Sequence, residues 1–304
     1  MHAFCKVFEL PDGRVEVIVK RLMKKRLSRS VGGDIGIFIF LLLFSTIMVI
    51  PLVYAVSMSL KLPSELWRFP PTFIVRNPSL KNYRDLFRLM TDSWVPMSRY
   101  IFNTLFITVV GTFGHIMIAS LAAYPLSKYE FPFSNFFFVV IRSSLMFTPA
   151  VTAIPNYLIM SKLGLIDTYW ALLLPAFGSS LGLFLMKQFM DQMIHPALLE
   201  SADIDGATEF VKFRKIVMPM VKPAWLTLMI FSVQGLWGMG SSPFIYSEEL
   251  KTLPYALGQI VSSGIARAGV GSAISIFLLV VPLTIFIISQ SNIIETMATS
   301  GMKD

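Results

Sequence analysis

Six long stretches almost free of charged residues constrain the fold of this chain more than any other feature of its sequence. Five carry no Asp, Glu, Lys or Arg, and the sixth is interrupted only by Arg142; they are residues 35–60, 100–127, 131–161, 168–186, 223–247 and 268–294. Each approaches or exceeds the roughly 20 residues that an α-helix needs to cross a hydrocarbon core about 30 Å thick. Because backbone groups in lipid must satisfy their own hydrogen bonds, each stretch is predicted to be helical. The predicted fold class is therefore an all-α integral membrane protein with six transmembrane helices.

Composition and charge agree with a membrane location. Charged residues make up 14% of the chain, and the mean hydropathy is +0.67, whereas soluble domains contain about 25% charged residues. The net charge of +8 does not indicate nucleic-acid binding, because the basic residues are not interleaved with aromatic residues along a groove. Six of the ten residues from Lys20 to Arg29 are basic. This cluster before the first stretch predicts a cytoplasmic N-terminus, and six spans return the C-terminus to the same side.

The predicted domain organisation follows from these stretches. Residues 1–34 form a cytoplasmic segment, residues 35–294 the transmembrane domain, and residues 295–304 a tail. The first stretch is too long for the apolar core of a signal peptide and is interpreted as an uncleaved anchor. The single cysteine, Cys5, excludes an internal disulfide framework and a cysteine-based metal cage. No metal site is predicted.

Residues 187–222, here called the coupling loop, separate the fourth and fifth stretches and lie on the predicted cytoplasmic side. Pro196 suits the first turn of a helix, and Gly206, which tolerates positive φ, ends that helix in a sharp turn. Phe210, Phe213 and Val217 follow at helical spacing and are predicted to share one apolar face. From the residues alone, two interpretations remain open: docking into a groove on a partner protein, or an amphipathic hairpin on lipid.

A motif in this loop resembles a known signature. Glu200-Ser201-Ala202 is followed by three residues, by Gly206, by nine residues, and by Ile216-Val217-Met218-Pro219. This spacing resembles the EAA motif of ABC importer permeases; the chain departs from it with Ser201 in place of Ala and Met218 in place of Leu. The sequences from Leu163 to Pro175 and from Thr252 to Leu257 are similar to the carbohydrate, maltose-type branch of the same permeases. The resemblance runs from about residue 33 to the end of the chain.

The resemblance implies a type I ABC importer permease fold in the bacterial plasma membrane. It implies a subunit that forms half of the translocation pathway for a sugar or oligosaccharide. The expected partners are a second homologous permease, two ATPase subunits and an extracytoplasmic solute-binding protein, besides membrane lipid. The chain has no G-x-x-x-x-G-K-[ST] loop, so it is not expected to be an enzyme or to hold a cofactor; ATP and Mg are expected on the partner ATPase. The residues expected to couple to the ATPase are Glu200, Ser201, Ala202, Asp205, Gly206, Ile216 and Pro219.

Polar and aromatic residues within the predicted spans are candidates for the solute pathway. Amides and amphipathic aromatic rings suit hydroxyl-rich ligands, and an intramembrane charge is a functional candidate by default. Each candidate also has a plain packing interpretation, as a core histidine, a snorkelling arginine or a helix-packing side chain. The candidates are His115, Arg142, Asn156, Tyr157, Gln234 and Trp237.

A self-sufficient secondary transporter of a small polar solute is the alternative function. Such transporters use intramembrane carboxylates or proton relays, and many contain inverted repeats. None of the six stretches contains an aspartate or glutamate. This absence favours the importer permease.

Overall fold

A computed structural model describes residues 31–66, 72–91, 95–240, 242–262 and 267–300 of the chain. Within these ranges the regular secondary structure is helical, as predicted. Residues 1–30 of the predicted cytoplasmic segment lie outside the described residues, so this segment stays a prediction. The chain divides into two units, residues 1–53 and residues 54–304, and helix α1 (Val31–Leu60) contains the boundary. Apolar residues occur on all sides of α1, as is typical of a membrane span.

Helix α4 (Met97–Lys128) organises the second unit. It packs against α7 (Trp170–Phe177), α8 (Ser180–Met193) and α12 (Lys222–Trp237). Every fourth residue along part of α4 is buried, and these residues form one stripe on the helix. Small residues in the stripe allow neighbouring helices to approach closely; a Cβ added at one of them, Gly111, would lie 2.6 Å from Leu236 Cδ1 on α12. The buried stripe consists of Ile107, Gly111, His115, Ala119 and Ala123.

The third and fourth charge-free stretches are each broken rather than continuous. Helices α5 (Ser134–Ser144) and α6 (Pro149–Lys162) meet at 112°, because Thr148 before Pro149 takes an extended conformation, with ψ 152°. Helices α7 and α8 are interrupted at Gly178. Residue Ser179 is extended as well, and its hydroxyl accepts a hydrogen bond from the Gly182 N–H at 3.4 Å, which caps α8.

The coupling loop contains four short helical elements and leads into α12. They are α9 (Pro196–Ile204), α10 (Glu209–Lys212), a π-helical turn (Phe213–Val217) and α11 (Met218–Met220). The chain bends by 75° between residues 209–220 and α12. Helix α12 ends at Trp237, ten residues before the charge-free stretch does, since glycine and proline disfavour helix over residues 238–243.

The remaining helices lie on the predicted outer side or close the chain. They are α2 (Pro63–Leu66), α3 (Lys81–Thr91), α13 (Leu253–Ser262) and α14 (Ala268–Ser300). Leu86 and Met90 of α3 belong to a buried cluster with Leu257 of α13 and Ile274 of α14. This cluster fixes the amphipathic α3 against the membrane helices.

In the part of the chain that the structure describes, length and composition identify four spans directly, at Ile35–Leu60, Met97–Lys128, Trp170–Met193 and Ala268–Gln290. Two bent pairs, α5 with α6 and the residues 209–220 with α12, raise the number to six if each pair is one span. The all-α membrane class is confirmed. Each span or pair overlaps one predicted stretch, although the fifth stretch, residues 223–247, overlaps its pair only over residues 223–237.

Candidate coupling site and membrane cleft

Helix α9 carries the first half of the motif and is capped at both ends. Before its N-terminus, His195 Nδ1 accepts a hydrogen bond from the Ala197 N–H at 3.3 Å, and Pro196 fills the first turn. At its C-terminus, Gly206 has φ +73°, which confirms the predicted left-handed turn. The Ala207 N–H donates to the Ala202 carbonyl and the Gly206 N–H to the Asp203 carbonyl, each at 2.9 Å. These two bonds form a Schellman motif, which fixes where α9 ends.

The motif residues divide between an exposed face and a packed face of α9. Glu200, Ser201, Asp205 and Gly206 are exposed, whereas Ala202 is buried. In the second half of the motif, Ile216 is half-buried and Pro219 exposed. Leu199, on the packed face, joins a buried cluster with Met186, Met190, Phe213 and Val217. One face of α9 is thus anchored to α8 and to the π-helical turn, and the other is open.

Two apolar residues, one on α9 and one on α10, are exposed although the sequence analysis did not predict it. Ile204 is 88% exposed and Phe210 67% exposed. The prediction that Phe210 shares a face with Phe213 and Val217 is wrong, because only the latter two are buried. The π-helical turn over Phe213–Val217 adds a residue to the helical repeat, and Lys212 takes the inward position before it.

Lys212 is the centre of a polar network that the sequence interpretation missed. Its side chain is 3% exposed and forms ion pairs with Asp203 Oδ1 of α9 and with Glu209 Oε1 of α10, the latter at 2.6 Å. The other carboxylate oxygen of Glu209 accepts hydrogen bonds from the hydroxyls of Tyr124, at 2.9 Å, and Tyr129. The i, i+3 spacing of Glu209 and Lys212 could have predicted their ion pair. The contact of Lys212 with Asp203 depends on the turn at Gly206 and has no such local pattern.

Further polar contacts attach α8 and the start of the coupling loop to the same end of α4. The Ser127 hydroxyl donates to Asp191 Oδ1 at 2.6 Å, and Lys187 pairs with Asp191 Oδ2 at 2.6 Å. The Lys128 ammonium donates to the Ile194 carbonyl at 2.8 Å. The coupling loop is therefore joined to α4 by apolar packing and by hydrogen bonds.

A cleft of about 350 Å³ lies between α4, α7, α8 and α12, near the middle of α4. Its wall combines apolar side chains with a few polar groups, as small-molecule sites do. Phe231 is 49% exposed and offers one ring face. The lining residues include His115, Ser179, Gly182, Phe231, Ser232 and Gly235.

His115 is the polar centre of this cleft. Its Nδ1 lies 2.5 Å from the Ser232 hydroxyl oxygen. Its Nε2 has no hydrogen-bond partner among the residues that the structure describes. The ring lies directly against Gly182, since a Cβ added there would be 1.8 Å from Nε2. His115 is thus held on one side by a hydrogen bond and on the other by a glycine backbone.

The other predicted pathway residues lie elsewhere. Trp237 is buried and donates from Nε1 to the Leu278 carbonyl at 2.9 Å, which joins α12 to α14. Gln234 is exposed beside the cleft residue Gly235. Asn156 is exposed on α6 and Arg142 on α5. The structure does not bring these four residues together around His115.

Tyr157, the remaining candidate, belongs to a contact on the predicted outer side. Its hydroxyl lies 2.8 Å from that of Tyr246. Nearby, Asp167 accepts hydrogen bonds from the N–H groups of Tyr246 and Ser247, at 3.0 and 2.9 Å, and from the Ser247 hydroxyl. The Ser247 hydroxyl and these N–H groups hold the pKa of Asp167 below its ordinary value. Asp167, with φ +61°, thereby joins the α6–α7 turn to the segment after α12.

We expect Asp167→Asn to lower the stability of the purified protein at neutral pH, because asparagine keeps the left-handed conformation but loses the charge that accepts these bonds. A lowered carboxylate pKa contributes stability above the unfolded-state pKa, about 4, and that contribution disappears as the pH falls through the folded-state pKa. The unfolding temperatures of the two proteins in detergent should therefore differ at about pH 7 and become equal at acidic pH. A pH-independent difference between the two proteins would contradict the assignment.

Helices long and apolar enough to cross a membrane thus border a partly polar cleft. No family model matches the chain. Among curated proteins, the polygalacturonan/rhamnogalacturonan transport system permease protein YtcP of Bacillus subtilis is 33% identical over 241 residues, which cover 76% of this chain and 79% of YtcP. The probable ABC transporter permease protein YurM of the same organism is 29% identical over 309 residues, covering 97% and 95%.

A solved structure supports the same fold. The chain superimposes with a TM-score of 0.72, at 20% identity, on a chain in the crystal structure of a bacterial ABC transporter involved in the import of the acidic polysaccharide alginate, covering 94% of this chain and 99% of that one. This chain belongs to the family of ABC transporter permeases, the multi-pass membrane subunits of bacterial importers. Such subunits do not hydrolyse ATP themselves, as predicted. The family assignment displaces the alternative of a self-sufficient secondary transporter.

Proposed function

We propose that this chain forms half of the translocation pathway for a sugar or oligosaccharide in an ATP-driven importer, and that α9 is its contact with the ATPase. The observation that carries the proposal is the division of α9 into two faces. One face is packed against α8 and the π-helical turn through Leu199 and Ala202, while Glu200, Ser201 and Ile204 are exposed. A helix fixed in this way transmits a push on its open face to the membrane helices.

The charge of α9 favours a protein groove over lipid as its partner. Glu200, Asp203 and Asp205 are acidic, and residues 196–206 contain no lysine or arginine. The cytoplasmic leaflet has a negative surface potential, which attracts basic segments and repels an acidic one. Ile204 at the end of α9 and Phe210 on the adjacent α10 are exposed and supply the apolar anchors that helix-in-groove docking requires. This combination supports docking on the ATPase.

The cleft beside His115 supports the pathway assignment. His115, Ser179 and Ser232 provide hydrogen-bonding groups, and Phe231 provides a ring face for a sugar. Helices α8 and α12 border the cleft and continue toward the coupling loop. Movement of α9 therefore changes the cleft through these two helices. The names of related transport systems, for galacturonans and for alginate, support a carbohydrate as the solute.

The expected partners are a second homologous permease, two ATPase subunits and a solute-binding protein. The tagged chain should be co-expressed with its chromosomal neighbours and purified in mild detergent. We expect a second permease and an ATPase to co-purify, and ATP hydrolysis to rise when the solute-binding protein is loaded from a panel of galacturonan, arabinan and alginate oligosaccharides. Recovery of this chain alone, with solute uptake into liposomes that contain no ATPase, would overturn the proposal.

We expect Glu200→Lys to reduce uptake strongly while leaving the protein level unchanged. Glu200 is exposed, so its replacement does not disturb the packed face of α9, but the new positive charge opposes the groove that accepts an acidic helix. Reversing one charge at an interface costs several kcal/mol, which corresponds to roughly a hundredfold or greater loss of affinity. Uptake of labelled oligosaccharides and immunoblots of membranes check this. Glu130→Lys, at another exposed glutamate, is the matched control. Equal loss of uptake and of protein would argue against the docking role.

A further inference from the structure

Lys212 combines a buried cation with two exposed anions. Its side chain is 3% exposed, whereas those of its partners Asp203 and Glu209 are 59% and 56% exposed. Burying a charge is unfavourable unless it is paired, and an apolar side chain of similar length often serves stability as well. Stability alone therefore gives little reason for a lysine at this position. The geometry of its two ion pairs gives a better reason for the lysine.

One of the two ion pairs, Lys212 with Asp203, crosses the turn that ends α9. Asp203 lies in the last turn of α9, whereas Lys212 and Glu209 are the last and first residues of α10, so the pair with Asp203 connects the helices on either side of Gly206 and the pair with Glu209 lies within α10. Glu209 in turn accepts hydrogen bonds from Tyr124 and Tyr129 at the end of α4. A continuous series of polar contacts thus runs from the end of α9 to α4.

Without this connection, the C-terminal end of α9 is joined to the following elements by the backbone turn and by the apolar packing of Leu199 and Ala202. No side chain fills the space around Gly206, since a Cβ added there would meet nothing within 4 Å. The turn can therefore bend without a steric clash. A push on the exposed face of α9 would then tilt its last turn at Gly206, and the apolar packing of Leu199 and Ala202 alone would carry the push toward the membrane helices.

We propose that Lys212 is a positioning residue for energy coupling, which holds α9 at a fixed angle to α4 so that movement imposed by the ATPase reaches the membrane helices. This inference rests on the proposed docking of α9 on the ATPase. It assigns a role to a residue outside the motif, and that role is separate from the contact itself.

The variant Lys212→Met tests this role without removing the fold. Methionine is apolar, of similar length and adaptable in a buried position. The two carboxylates left behind are more than half exposed, so water solvates them, and the tyrosine hydroxyls still reach Glu209. Lys212→Arg keeps the charge and should restore the wild-type behaviour. Lys215→Met removes an exposed positive charge from the next turn and is the matched control.

The angle of α9 can be measured directly in the purified complex with its ATPase. Nitroxide labels at Ala197→Cys, an exposed position of α9 outside the motif, and at Glu130→Cys after α4, in a Cys5→Ser background, report the distance between the two elements by pulsed electron paramagnetic resonance. We expect one narrow distribution of distances in the parent protein, both with and without ATP and vanadate. The same narrow distance is expected for Lys212→Arg and for Lys215→Met. Lys212→Met should broaden it into several populations and lower the solute transported per ATP hydrolysed.

Two outcomes separate failure of this inference from failure of the proposed function. If Lys212→Met keeps the narrow distance and the parent ratio of transport to hydrolysis, while the ATPase still co-purifies, Lys212 does not position α9 and the inference is overturned. If the ATPase fails to bind the parent protein, the proposed docking fails, whatever the distance. Loss of the ATPase from Lys212→Met alone, with the narrow distance retained, also overturns the positioning role, because it assigns Lys212 to the contact.

Discussion

Gly206→Val is expected to abolish most transport while the protein still inserts in the membrane. Gly206 has φ +73°, a conformation that is unfavourable by about 1–2 kcal/mol for a residue with a Cβ and more unfavourable for a β-branched one. A penalty of that size shifts a conformational equilibrium about tenfold. The Schellman bonds at the end of α9 would then be lost, and with them the direction in which the chain leaves the helix. Uptake measured per amount of membrane protein checks this result.

Gly206→Asn separates backbone strain from other effects at the same position. Asparagine is the residue after glycine that best tolerates a left-handed turn, and no neighbouring atom would touch its Cβ. We expect Gly206→Asn to retain most of the transport that Gly206→Val loses. If asparagine and valine were equally harmful, an atom of a partner would have to lie against Gly206, and the explanation from backbone conformation would be wrong.

Gly182→Ala is expected to destabilise the protein and to impair transport. The added Cβ would lie 1.8 Å from His115 Nε2 and 2.7 Å from Cε1, so the imidazole has to swing away and lose its hydrogen bond to Ser232. Overpacking of this kind costs about 1–3 kcal/mol. Thermal unfolding in detergent and oligosaccharide uptake should both show the effect.

Two further variants make the Gly182 prediction specific. Gly235→Ala places the same methyl group on another wall of the cleft, where nothing lies within 4 Å of it, and should leave stability unchanged or slightly improved, as alanine favours helix. In a His115→Ala background, Gly182→Ala should lose most of its destabilising effect, because the ring is gone. An additive double variant would show that Gly182 acts through some other neighbour.

Much of the architecture could be predicted from where charges are absent. The second charge-free stretch, residues 100–127, lies within α4 (Met97–Lys128), which begins after Pro96 and ends before the extended Tyr129. The spacing from Glu200 to Gly206 identified a helix and its left-handed end, since few residues other than glycine adopt that conformation. These features are local and follow from the residues that form them.

The bends and long-range contacts could not be predicted in this way. An absence of charge does not distinguish one span from two helices meeting at 112°, although Pro149 marks the break. The contact of His115 with Ser232 joins residues 117 apart in sequence, and no local pattern predicts it. Trp237, a candidate for the pathway, is instead directed to the Leu278 carbonyl, because a buried indole N–H takes the nearest acceptor.

The most direct test of the account asks what the exposed face of α9 touches. A photo-crosslinking phenylalanine analogue should replace Ile204 on α9 and, as a control, Phe113, which is exposed on α4. After irradiation of membranes that contain the whole transporter, the account predicts an adduct between this chain and the ATPase from position 204 and none from position 113. An assembled, active transporter in which position 204 links only to lipid would contradict the central claim that α9 couples this permease to its ATPase.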